Sequence, residues 1–170
     1  MRRFFLVGLV AGLIVESGCG QEPERPRITD VRFALTAAPV AGRPSAPVTL
    51  RAQVTNAGNV FVWHCSGCGC GDGFQITVFG PDGSAVALHD PKALGPMCPD
   101  GSVRLEPAQT LESGDRFTGV LYQRDSPSWP SPTYQAPSGT YTVIATFNYV
   151  SSVPGEWVSL ERRTRFVWQP

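Results

Sequence analysis

The stretch Pro137-Ser-Gly-Thr-Tyr-Thr-Val-Ile-Ala-Thr-Phe-Asn-Tyr-Val150 decides the fold class. Proline and glycine turn the chain at its start, because proline presets φ and glycine tolerates the left-handed region. Tyr141 and Val143 then occupy alternate positions, and a strand is expected near Thr140–Val150. A period of two puts every second side chain on one face, the pattern of a half-buried strand. Tyr141 and Val143 are therefore expected in the core.

The same period runs upstream. Val31, Phe33 and Leu35 alternate with Arg32, Ala34 and Thr36, and Val48, Leu50, Ala52 and Val54 alternate with polar neighbours. After the Asn56–Asn59 turn a strand resumes over Val60–His64, and Phe74, Ile76 and Val78 form another. Pro81-Asp82-Gly83 turns that chain into a return strand over Ala85–Leu88. Further strands are expected near Val103–Leu105, Arg116–Tyr122, Thr140–Val150 and Val158–Val167. No segment combines helical periodicity with caps. Strands at this spacing with turn signals between them suggest an all-β sandwich or barrel; seven to nine antiparallel strands are expected, a count typical of immunoglobulin-like β-sandwich folds. The Pro/Ser-rich run Asp125–Gly139 reads as a long loop, and its Trp129 and Tyr134 are expected to pack against the sandwich.

Composition agrees with this class. Glycine and proline make up 34 of 170 residues, enough for many turns and short of the ~25–30% that marks disorder. Formal net charge is zero, which disfavours a general nucleic-acid role, since phosphate binding wants a basic surplus. At 170 residues one domain is expected.

The N-terminus reads as an address. Met1-Arg2-Arg3 precedes a twelve-residue apolar run, Phe4–Val15, too short to span a bilayer, which takes about 20 residues. Ser17-Gly18-Cys19 follows and resembles the lipobox of bacterial lipoproteins, in which the cysteine is lipidated and becomes the new N-terminus. Residues 1–18 are then a lipoprotein signal peptide, 19–27 a polar tether with two prolines, and 28–170 the β-sandwich domain. Gly20, rather than aspartate, after Cys19 favours the outer membrane under the sorting rules that this resemblance implies.

Four features recur in one order: a strand ending at Val54-Thr55-Asn56, then Phe74-x-Ile76-x-Val78 with Pro81-Asp82-Gly83 and Val86, then Leu111–Asp115 with Phe117, then Pro137-x-Gly139-x-Tyr141-x-Val143. Over about residues 48–150 this order resembles the BsuPI intracellular proteinase-inhibitor domain, a small immunoglobulin-like sandwich often found in bacterial lipoproteins. The resemblance implies a non-enzymatic, protein-binding domain with proteinase inhibition as its activity. It also implies a turn at Leu111–Asp115, where Ser113 stands in place of the family's usual proline.

The remaining signal is chemical. His64-Cys65-Ser-Gly-Cys68-Gly-Cys70-Gly-Asp-Gly73 is followed by Cys98. An exported protein with four cysteines beyond Cys19 is expected to form disulfides among Cys65, Cys68, Cys70 and Cys98, with three connectivities open. Cys65–Cys68 is the easier local bridge, and Cys70–Cys98 would then join two loops. The alternative is a copper- or zinc-handling site, because His64, Cys65, Cys68 and Cys70 are soft ligands at close spacing. No nucleophile elbow, phosphate loop or zinc-protease motif is present, and His89-Asp90 reads as a solvated turn. Neither an enzyme nor a cofactor is therefore expected; the expected partners are a membrane, through Cys19, and a protein.

Overall fold

The computed structural model describes residues 28–66, 73–93, 101–151 and 155–170. Twelve strands run in order: β1 (Val31–Ala38), β2 (Ala41–Gly42), β3 (Val48–Asn56), β4 (Val62–Ser66), β5 (Phe74–Phe79), β6 (Ala85–Val86), β7 (Gly101–Leu105), β8 (Thr110–Phe117), β9 (Val120–Tyr122), β10 (Thr133–Gln135), β11 (Gly139–Ser151) and β12 (Trp157–Trp168). Eight of them are five residues or longer, and all pairings among these eight are antiparallel. Among the described residues the one parallel pairing is that of the two-residue β2 with β12.

The strands form a smaller sheet in the order β1-β3-β8, a larger one in the order β2-β12-β11-β4-β7 with β5 also on β11 and β6 on β5, and a two-stranded pair β10-β9. Alternation decides what lies between the first two. Val48, Leu50, Ala52 and Val54 of β3 are fully buried, as are Tyr141, Val143, Ala145 and Phe147 of β11. Phe117 brings the sheets together at one end, its ring 4.7 Å from Tyr141, 4.9 Å from Phe166 and 5.0 Å from Trp168. Phe33, Phe74, Phe147 and Tyr149 fill the other end.

The turn that opens the deciding stretch is built as its residues require. Gly139 has φ of +146°, and a Cβ there would come within 2.6 Å of the Pro81 ring. The Tyr141 hydroxyl donates to the Pro137 carbonyl at 2.8 Å. A tyrosine at the start of such a strand, bonded back to the preceding corner, is a hallmark of immunoglobulin-like sandwiches. Burial pushes the Tyr141 phenol from 10.0 up to about 12. Its neutral form is thus favoured in the folded state, so this contribution to stability is lost as pH rises from about 10 through 12. Tyr141→Phe is expected to cost about 1 kcal/mol near neutral pH, the net worth of one hydrogen bond, and to flatten the alkaline fall in stability. Urea unfolding at pH 7 and pH 11 measures both.

Three expectations are corrected. Leu111–Asp115 does not turn; it is the middle of β8, paired residue by residue with Gln53, Ala52 and their neighbours on β3. With serine rather than proline at position 113, every residue there has an N–H for the ladder. Leu111, Ser113 and Asp115 are half-buried, while Glu112, Gly114 and Arg116 between them are exposed. The strand expected over Arg116–Tyr122 is split, because Gly119 at φ of +83° turns the chain against Trp168. The expected loop Asp125–Gly139 contains β10, which pairs with β9.

The residues on either side of the cysteine-rich segment, His64 and Phe74, both register with β11. Tyr149 of β11 faces His64 of β4, and Phe147 faces Phe74 of β5. Two steps on β11 thus correspond to ten on its partner, so β4 and β5 share one strand position with eight extra residues between them.

Candidate functional site

The larger sheet presents an aromatic row on its solvent face. Trp157 of β12 lies opposite Val150 of β11, Val150 opposite Trp63 of β4, and Trp63 opposite Arg104 of β7. The flanking residues Val62, His64 and Tyr149 are buried, so alternation turns this row outward. With strands about 4.8 Å apart, four strands span ~14 Å. Trp157 is 71% exposed. Phe61, just before β4, joins the row, its ring edge-to-face with Trp63 at 5.6 Å.

Arg104 completes the group. Its guanidinium lies 4.4 Å from the Phe61 ring centre and 4.9 Å from that of Trp63. Such contacts at an exposed site are worth about 0.5–1 kcal/mol and hold the planar fork in place. Among the described residues no carboxylate pairs with Arg104, whereas Arg51 pairs with Glu112, and Arg32 with Asp30. The row therefore offers flat apolar faces beside an ordered cation with unused donors. Sequence reading did not single it out. The available signal was phase: Phe61 and Trp63 alternate with Val62 and His64, and Trp157 falls out of phase with Val158 and Leu160.

Elsewhere a cleft of about 300 Å³ is lined by Ile76, Val78, Val86, Leu88, His89, Asp115 and Arg124. His89 Nε2 is 2.9 Å from Asp115 Oδ2. The acid that meets His89 is thus Asp115 and not its neighbour Asp90. Asp90 instead accepts from the backbone N–H of Ser131 and of Lys92, both at 3.0 Å. Lys92 Nζ donates to the Ser128 carbonyl at 3.1 Å. The loop after β9 is pinned by these contacts, yet Trp129 and Tyr134 do not pack against the sandwich as expected: they are 74% and 40% exposed. Among the described residues no hydroxyl or thiol is bonded to His89.

No family model matches this chain, and no curated protein matches it. Among solved structures it is similar to a β-glucosidase from Erythrobacter marinus, with 11% identity and a TM-score of 0.42 over 83% of this chain and 16% of that one. It is also similar to the ApaA protein from Bordetella pertussis, with 14% identity and a TM-score of 0.42 over 84% of this chain and 95% of that one. A β-glucosidase from Listeria innocua gives 8% identity and a TM-score of 0.40 over 84% of this chain and 16% of that one. The chain thus spans about a sixth of the length of these glucosidases (16%). Likeness this slight assigns no activity.

The expected cysteine chemistry falls largely outside the described residues: Cys19, Cys68, Cys70 and Cys98 all lie there, as does the expected signal and tether. The backbone of Cys65 is on β4, opposite Ser102 of β7. His64 is buried, its ring 5.8 Å from that of Phe147. Among the described residues no three His, Cys, Asp or Glu side chains gather as metal ligands.

Proposed function

We propose that this chain is an exported lipoprotein, anchored in the cell envelope through Cys19, whose sandwich binds a protein partner without catalysing a reaction. Proteinase inhibition is the activity suggested by the BsuPI resemblance. The observation that carries the proposal is the outward row Trp157–Val150–Trp63–Arg104. Tryptophan and arginine dominate the energetic centres of protein interfaces, where single truncations cost 2 kcal/mol or more. A tether from residue 19 to 27 would hold such a face off a membrane within reach of a partner.

Two measurements test the parts separately. Cys19→Ser is expected to move the exported protein from the membrane fraction to the soluble fraction; unchanged fractionation, with unlipidated Cys19 in the parent, sinks the anchor. A photo-crosslinking amino acid at position 157 in producing cells is expected to give a discrete protein adduct. The same group at the exposed Thr49, on the smaller sheet, is expected to give none. Equal labelling at both positions, or none at 157, overturns the binding face.

A further inference from the structure

β7 is the last strand of the larger sheet. Among the described residues it pairs with β4 and with no other element. A terminal strand carries a row of unpaired N–H and C=O groups, which template another extended chain. In antiparallel pairing alternate residues turn both backbone groups away from the paired neighbour, so β7 has bonding capacity on its free side whichever phase is in use.

The side chains on β7 say what kind of chain fits. Val103 stands opposite the buried His64, on the core side, yet it is 44% exposed. An added strand would cover it with an apolar residue. Arg104 points to the other face, its guanidinium held against Phe61 and Trp63 and without a carboxylate among the described residues. The added strand would place its next side chain beside that fork, where a carboxylate can accept two parallel N–H bonds. Cross-strand neighbours on one face lie about 5 Å apart, within reach of such a pair.

We infer that the partner docks by strand addition on β7, through an extended segment that alternates apolar and acidic residues, an apolar one over Val103 and a carboxylate on Arg104. The inference rests on the protein-binding reading above and names the chemistry of the partner. Main-chain bonds supply affinity in this mode, and alternate side chains supply selection.

The test uses the purified exported protein and three dye-labelled synthetic hexapeptides: valine alternating with glutamate, valine alternating with lysine, and the glutamate peptide N-methylated at alternate amides. Fluorescence anisotropy reads affinity, and amide hydrogen exchange reads the site. The glutamate peptide is expected to bind and to slow exchange within Gly101–Leu105. The lysine peptide is expected to bind about tenfold or more weakly, the worth of a charge-assisted bond. N-methylation is expected to abolish binding, which reads backbone pairing without altering the protein. Arg104→Glu is expected to reverse the order of the glutamate and lysine peptides. Equal affinities, unchanged binding of the methylated peptide, protection elsewhere than β7, or no binding of any peptide overturns strand addition. If the peptides fail while the adduct at position 157 persists, the protein-binding face stands and only its docking mode falls.

Discussion

Phe117→Ala is expected to destabilise the domain by about 3–5 kcal/mol, the range for truncating a buried phenylalanine. Phe117 ends β8 on the smaller sheet, is fully buried, and sits among Tyr141 of β11 and Phe166 and Trp168 of β12 on the larger one. The loss has two parts: the transfer energy of the ring, and a cavity that three other large rings cannot fill without leaving their own contacts. Tyr141 and Phe166 are stacked at 9°, with centres 5.3 Å apart, so neither tilts freely into the gap. Against a typical total of about 5–15 kcal/mol this is about a fifth or more of the stability. Urea unfolding of the domain checks it. A loss below about 1 kcal/mol, outside the range for buried aromatic truncations, would show that the sheets are not clamped at this point.

Cys98→Ser is expected to cost about 3–4 kcal/mol if its bond is to Cys70, the chain-entropy value for closing a 29-residue loop. The segment from Cys65 to Gly73 carries glycine at 67, 69, 71 and 73, and such a backbone is costly to order. The strand register adds a reason. Ser66 at the end of β4 faces Gly101 at the start of β7, and Cys98 is three residues upstream of Gly101, at most ~11 Å of chain. Cys98 is 28 residues from Cys70 and 33 from Cys65 in sequence. Peptide mapping of the exported protein without reductant decides the matter. A free Cys98 thiol refutes the structural role, and free Cys65, Cys68 and Cys70 with stoichiometric copper or zinc would favour the metal site instead.

What the sequence could reveal depends on range. A strand with one buried face carries its own signature, because neighbouring side chains see opposite environments; this is why Val48–Asn56 and Gly139–Ser151 were readable. The corner at Pro137–Tyr141 was readable too, since its proline, glycine and tyrosine act within a few residues of one another. β8 was not. Its inward residues include Ser113 and Asp115, and what makes them a strand is β3, about 60 residues away in the chain. Turn propensity at Ser113-Gly114-Asp115 lost to a ladder that only the partner could offer.

The candidate face shows the same division. The sequence by itself set the alternation, the corner, the cysteine spacing and the export-like N-terminus, because each is a property of neighbouring residues. The tertiary structure alone decided that His89 meets Asp115 rather than Asp90, and that Trp129 stands in solvent. It alone gathered the row. Trp63 and Trp157 are 94 residues apart, and they become neighbours because Val150 pairs with both. Arg104 reaches Trp63 because β7 pairs with β4. A sheet brings together residues by register, and register is fixed by which inner faces can be buried together, a sum over both sheets that no local window of sequence contains.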